Sequence, residues 1–323
     1  MKRLFVLFAL ALPLALTTAS LQADVKSREK TSIKFEGMLG RMMGLFGGGR
    51  AARDGIVSST AVKGERKVTM NESNGQIIDL AEEKVYDLDV KKKTYKVTTF
   101  DQIRKEMEEA REKAEREAEK EKEEKPEERE KGKEFEVDFD VKETGQKKQL
   151  AGYDTRQIIM TVTLREKGKS LEEAGGFVMT SDAWMGPRIP ALKEVSDFDM
   201  RYWKQLQGPD AGAMSAEQMA ALLAAFPMVQ NAMERMKQEG TKLDGTPLAT
   251  TTVFETVKSK EAMAQQSQNS GGGGLGGMLA RRMKKEDPKP RSTIFTTTSE
   301  VQEVGTTVAA EDLGIPAGFK EKK

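Results

Sequence analysis

The stretch Lys67–Phe100, KVTMNESNGQIIDLAEEKVYDLDVKKKTYKVTTF, constrains the fold more than any other part of the chain. Short β-prone runs at Lys67–Met70, Ile77–Leu80, Val85–Leu88 and Thr94–Phe100 follow one another, and turn-forming or charged residues separate them. Turn signals this close together predict an antiparallel meander. Asn74-Gly75 predicts a type I′ hairpin turn, because both residues tolerate positive φ. Ala81–Lys84 and Lys91–Lys93 supply the next two breaks. A meander of this kind has an apolar face that other segments must cover.

The same rhythm runs through the rest of the chain. Thr31–Phe35 and Ile56–Val62 precede the meander. After it, Phe135, Val137, Phe139 and Val141 alternate with polar residues and so share one face of a strand. Thr144-Gly145 predicts a turn. A long strand then carries Ile158, Met160, Val162 and Leu164, and another runs from Phe177 to Met185. Pro187 and Pro190 close that half. Strands return at Thr250–Val257 and Ser292–Glu303, and GIPAGFKEKK reads as a polar tail.

Helical segments interrupt the strands. Asp101–Lys133 is nearly all Glu, Lys, Arg and Ala, with opposite charges four apart that support an isolated helix. It has no continuous apolar stripe, so it reads as a solvated protrusion inserted between two strands, or as a docking arm for a partner. Ser196 is placed to cap a helix through Leu206 with Phe198, Tyr202, Trp203 and Leu206 on its apolar side. Ser215, with Gln218 in capping-box position, begins a second helix. Its stripe includes Met219, Leu222, Leu223, Phe226, Met233 and Met236 at helical spacing, with Gly240 at its end.

Composition removes several functions. The 323 residues contain neither cysteine nor histidine. That excludes disulfides, thiol nucleophiles, the usual zinc ligand sets and the commonest general base. A formal net charge of +1, without a clustered basic face, gives no reason to expect a nucleic-acid partner. The D-x-D pairs Asp87/Asp89, Asp138/Asp140 and Asp197/Asp199 are candidate carboxylate pairs, but alternating polar faces produce the same pattern. No cofactor, metal site or catalytic constellation is expected.

The N-terminus carries an address. Lys2 and Arg3 precede an almost continuous apolar run, Leu4–Leu16, and small residues follow. This predicts a signal peptide over residues 1–23, cleaved after Ala19 or Ala23, and an exported protein in the periplasm or outside the cell. Residues 24–323 are expected to form one β domain. Two Gly/Met-rich connections, 37–55 and 271–290, set Met38, Leu39, Met42, Met43, Leu45, Phe46, Leu275, Met278 and Leu279 beside Arg and Lys. That mixture suits a membrane surface, and equally suits loops packed on the protein.

Gly75–Leu80, Val85–Asp89, Thr94-Tyr95, Thr144-Gly145 before Ala151–Tyr153, Ala183-Trp184 and Ile315–Gly318 together resemble the lipoprotein-carrier (LolA-like) superfamily of exported bacterial proteins. They resemble still more closely a group of secreted proteins placed near it. The resemblance implies a mainly β (α+β) fold: a curved antiparallel sheet, or incomplete barrel, wrapping helices, here with a charged helical insertion. It also implies an apolar concavity that holds acyl chains. Carriers of this kind have a substantial helix before their first strand. Here the covering role falls to the helices between Ser196 and Glu239.

The expected function is therefore binding of a lipid or other amphiphile in the cell envelope, without catalysis. Lipid or lipoprotein acyl chains are the expected partners, with peripheral membrane contact. Met219, Leu222, Leu223, Phe226, Met233, Met236 and Trp184 are candidate pocket residues, and they serve equally as core. The alternative is a protein–protein interaction or sensor module with no small ligand.

Overall fold

The computed structural model describes residues 24–37, 40, 54–124, 134–207, 240–269 and 290–322. Its strands are β1 (Val25–Phe35), β2 (Ile56–Lys63), β3 (Arg66–Met70), β4 (Asn74–Asp79), β5 (Lys84–Asp89) and β6 (Thr94–Thr99). They continue as β7 (Phe135–Leu150), β8 (Tyr153–Glu166), β9 (Gly176–Gly186), β10 (Thr246–Val257), β11 (Arg291–Gly305) and β12 (Lys320–Glu321). The helices are α1 (Phe100–Glu124), α2 (Leu171–Ala174), α3 (Pro190–Gln207) and α4 (Lys260–Asn269).

All twelve strands lie in one open, curved sheet, ordered β12-β6-β5-β4-β3-β2-β1-β11-β10-β9-β8-β7. Two sequential meanders make it. β1 to β6 run outward one way, β7 to β11 return from the other edge, and β11 closes against β1. Every pairing is antiparallel except β12 on β6. The mainly β class and the antiparallel meander agree with the sequence reading.

Local chemistry moves several turns. Asn74-Gly75 forms no type I′ turn. The Asn71 side chain accepts hydrogen bonds from the backbone N–H groups of Ser73 and Asn74, which draws the turn back to residues 71–74. Gly75 sits inside β4 opposite Met70, and a Cβ there would lie 2.0 Å from the Met70 sulfur. Thr144-Gly145 is likewise no turn but a bulge within β7, where the register slips between Glu143 and Lys147. The chain reverses instead at Ala151-Gly152, with φ of 48° and 82°, the signature of a type I′ loop.

Helix α3 begins six residues before Ser196. Pro190 occupies its first position, where a missing N–H costs nothing. Phe198 and Leu206 are buried as the periodicity predicts, Tyr202 packs at the margin, and Trp203 is exposed. The apolar face is rotated toward Ala191 and Phe198, and the buried Glu194 is paired with Arg201 at 2.8 Å.

Residue alternation defines the two faces. Val25, Val62, Ile78 and Val85 share the concave face and form one core with Phe100, Phe198, Leu206, Leu248 and Val301. On the convex face Val68, Ile77 and Leu88 form a second cluster with Leu313, Ile315 and Phe319. The C-terminal segment is therefore not a free polar tail. It straps the outside of the meander, and its apolar residues are what cover that face. Lys26 anchors it through Asp312 at 2.6 Å, and Asp312 also accepts from the Ala309 N–H.

Helix α1 matches its expectation as a charged, largely exposed helix. Among its described residues only Phe100 and Ile103, at its start, pack into the core. Further along it, pairs such as Arg116–Glu112 at 3.3 Å are surface contacts of small worth.

Phe198→Ala is expected to lower unfolding free energy by about 3–5 kcal/mol, and Met107→Ala by under about 0.5, in denaturant titrations. Asp312 is held below the ordinary carboxylate range by its hydrogen bonds to Lys26 and Ala309. Its contribution is therefore present above about pH 4 and is lost as pH falls through the depressed value. Amide exchange at Leu313–Phe319 should rise below about pH 4 before exchange in β1 does; simultaneous loss would show that this anchor plays no such part.

Candidate functional site

Helix α3 covers the concave side at the Val25 end of β1. Beyond it the six longest strands run on together, and their registers align residue by residue. One row is Phe35–Phe295–Phe254–Met179–Val162–Phe139, from β1 across to β7. Phe254 and Phe295 stack with centroids 4.2 Å apart, and Phe35 tilts against Phe295 at 5.9 Å. Six strands thus present one continuous apolar band.

Alternation extends that band in both directions. Two residues toward α3 lies Ile33–Thr297–Thr252–Ser181–Met160–Val141, and two further lies Thr31–Ser299–Thr250–Ala183–Ile158–Glu143. Val141, Ile158 and Met185 form a small buried cluster there with Phe139, Met160 and Leu243. Toward the strand ends come Val137, Leu164 and Phe177. Phe177 is 54% exposed and Phe135 47%. The face opens outward at its aromatic end.

Electrostatics are almost absent from this surface. Across these three rows the one ionisable side chain is Glu143, which Arg156 engages at 3.3 Å. Groups with shifted titration lie elsewhere. Burial, then the hydrogen bond to Glu82, pushes the Tyr86 phenol up to about 12. Burial also raises Tyr202. The arrangement can offer apolar contact and neutral hydrogen bonding.

Trp184 falls on the other face. It alternates with Ala183 and Met185, and Lys148 sits over its ring at 3.9 Å. Met219, Leu222, Leu223, Phe226, Met233 and Met236 lie outside the described residues, as do Met38, Leu39, Met42, Met43, Leu45, Phe46, Leu275, Met278 and Leu279. Of the D-x-D aspartates, Asp87 accepts from Gln76, Asp89 closes a turn with Lys92, and Asp138 pairs with Arg165. Asp197 pairs with Lys193 and Asp199 with Lys67. Among the described residues no group of three or more acidic side chains converges as metal ligands.

The aromatic row escapes sequence reasoning because its members come from strands up to 260 residues apart. Only the alternations Phe135-Val137-Phe139-Val141 and Ile158-Met160-Val162-Leu164 signalled parts of it. Comparisons with known protein families, curated proteins and solved structures found no match to this chain.

If the rings cooperate, a double-mutant cycle of Phe254→Ala and Phe295→Ala should give a coupling of about 0.5–1.5 kcal/mol in stability. A coupling near zero would dissolve the pair.

Proposed function

We propose that this chain is an exported, non-catalytic binding protein that holds the acyl chain of a lipid or other amphiphile on the concave face of its sheet. The observation that carries this reading is the six-strand apolar row from Phe35 to Phe139, with the exposed Phe177 and Phe135 beyond it toward the strand ends. Exposed apolar surface costs about 25 cal/mol per Å², so a band of this extent is a surface suited to apolar cargo. An open curved sheet with a helix on its concave side also supports the LolA-like half-barrel reading. Met160, Met179 and Met185 add soft contacts able to adapt to varied chains.

Export rests on the basic start and the apolar run Leu4–Leu16. In this reading the Gly/Met segments 37–55 and 271–290 meet the membrane surface, where cargo is exchanged. Among the described residues no helix is long and apolar enough to cross a membrane.

The test is direct. Protein purified from membranes of its host should carry lipid visible by native mass spectrometry and recovered by organic extraction. The Phe254→Ala/Phe295→Ala variant should bind a fluorescent fatty-acid probe roughly tenfold more weakly, the loss expected when two partly exposed rings leave the contact surface. Absence of retained lipid together with no binding of the probe would remove the reading.

A further inference from the structure

Between helix α3 and the aromatic row, the concave face carries a cavity of about 300 Å³. Thr31, Ile33, Ile56, Thr250, Thr297 and Ser299 line it, and none of its lining residues is charged. Ser299 donates to Glu29. Among the described residues the hydroxyls of Thr31, Thr250 and Thr297 make no side-chain hydrogen bond, and none of them is a sealed, buried orphan. Three neutral hydroxyls therefore open on one small, uncharged space, whose other hydroxyls, those of Ser32, Thr298 and Ser299, are already hydrogen-bonded. It lies two to four residues along each strand from Phe35, Phe254 and Phe295.

We infer that this cavity receives the head group of the amphiphile, and that the head group is uncharged and hydrogen-bonding, such as the glycerol ester of a monoacylglycerol. The inference rests on the acyl-chain reading of the same face and adds its polarity and direction. The acyl chain lies along the aromatic row toward Phe177, and the head sits toward α3. A threonine hydroxyl donates to an ester carbonyl and accepts from a glycerol hydroxyl, so both kinds of partner are met. A carboxylate would give up its hydration for a space whose nearest charge is the like-charged Glu29, and an ammonium would have to displace Ser299 from that carboxylate, so both are disfavoured. Sites of this kind are mostly apolar with a few placed polar groups that set specificity.

The experiment compares three probes of one chain length, monolauroylglycerol, dodecanoate and dodecylammonium, by calorimetry below their critical micelle concentrations on the mature protein. Monolauroylglycerol is expected to bind roughly tenfold tighter than either ion. Thr250→Val and Thr297→Val keep the shape and delete the hydroxyl. Each should weaken monolauroylglycerol by roughly 2- to 10-fold and change the ions by less than about twofold. Equal affinity for an ion, or threonine variants without selective effect, would overturn the head-group assignment while leaving the acyl-chain reading intact. Failure of all three probes to bind would overturn both. The wild-type comparison stands by itself if either variant fails to fold.

Discussion

Helix α3 is what the sheet is built against. Phe198 has no exposed surface, and its core draws Val25 from β1, Val62 from β2, Ile78 and Val85 from the meander, Leu248 from β10 and Val301 from β11. The cluster around Phe198 thus gathers strands from both meanders, which are also joined at the β1–β11 ladder. The polar contacts of α3 serve the same seam. Lys67 reaches Asp199, Arg201 reaches both Glu194 and the Gly64 carbonyl, and Gln205 reaches the Leu80 carbonyl. Burying Glu194 without Arg201 would leave a charge unpaired at large cost, so helix and sheet are matched as a unit.

Because α3 reaches only one end, the two halves of the sheet solve their apolar faces differently. The meander half is covered twice, by α3 inside and by Leu313, Ile315 and Phe319 outside. In the long-strand half, rings lie on rings across strands and threonines alternate with them. Hydroxyl pairs such as Ser181–Thr252 at 3.0 Å lie within that face. β-Branched threonines favour the strand conformation while adding little apolar surface. They let β10 and β11 run long without extending the greasy band over the whole concavity.

Much of this frame was legible in the sequence, for physical reasons that also explain the misses. Period-two alternation is a strong signal, and it located the face of Phe135–Val141 and nearly every strand. Turns were less legible because a hairpin signal competes with its neighbours. Asn71 captures two backbone N–H groups before Asn74-Gly75 can turn, and Leu150–Tyr153 takes the reversal that Thr144-Gly145 suggested. The segment GIPAGFKEKK reads as a polar tail because its apolar residues, Ile315 and Phe319, are spaced by loop geometry, which leaves no period to detect. Trp184 shows the limit for sites. A one-residue parity decides which face it occupies, and only the register with β8 and β10 fixes that parity. The aromatic row is less visible still, since alignment of six registers creates it and no local pattern encodes it.

Whether such a row is core or site can be argued from one residue type within one molecule. Phe198 and Phe100 show what core phenylalanine looks like here, with no exposed surface and neighbours on every side. Phe35, Phe254 and Phe295 remain partly exposed although their strands are fully paired, and Phe177 and Phe135 are about half exposed. A fold able to bury Phe100 under the first turn of a charged helix does not lack means to cover an aromatic ring. The chemistry of the face also changes in one direction, from the closed core under α3, through the hydroxyl belt, to the half-exposed Phe177 and Phe135 at the strand ends. A core fails to close in scattered places. A gradient of this kind has a polar-lined inner end and an apolar outer end, which matches the two ends of an amphiphile.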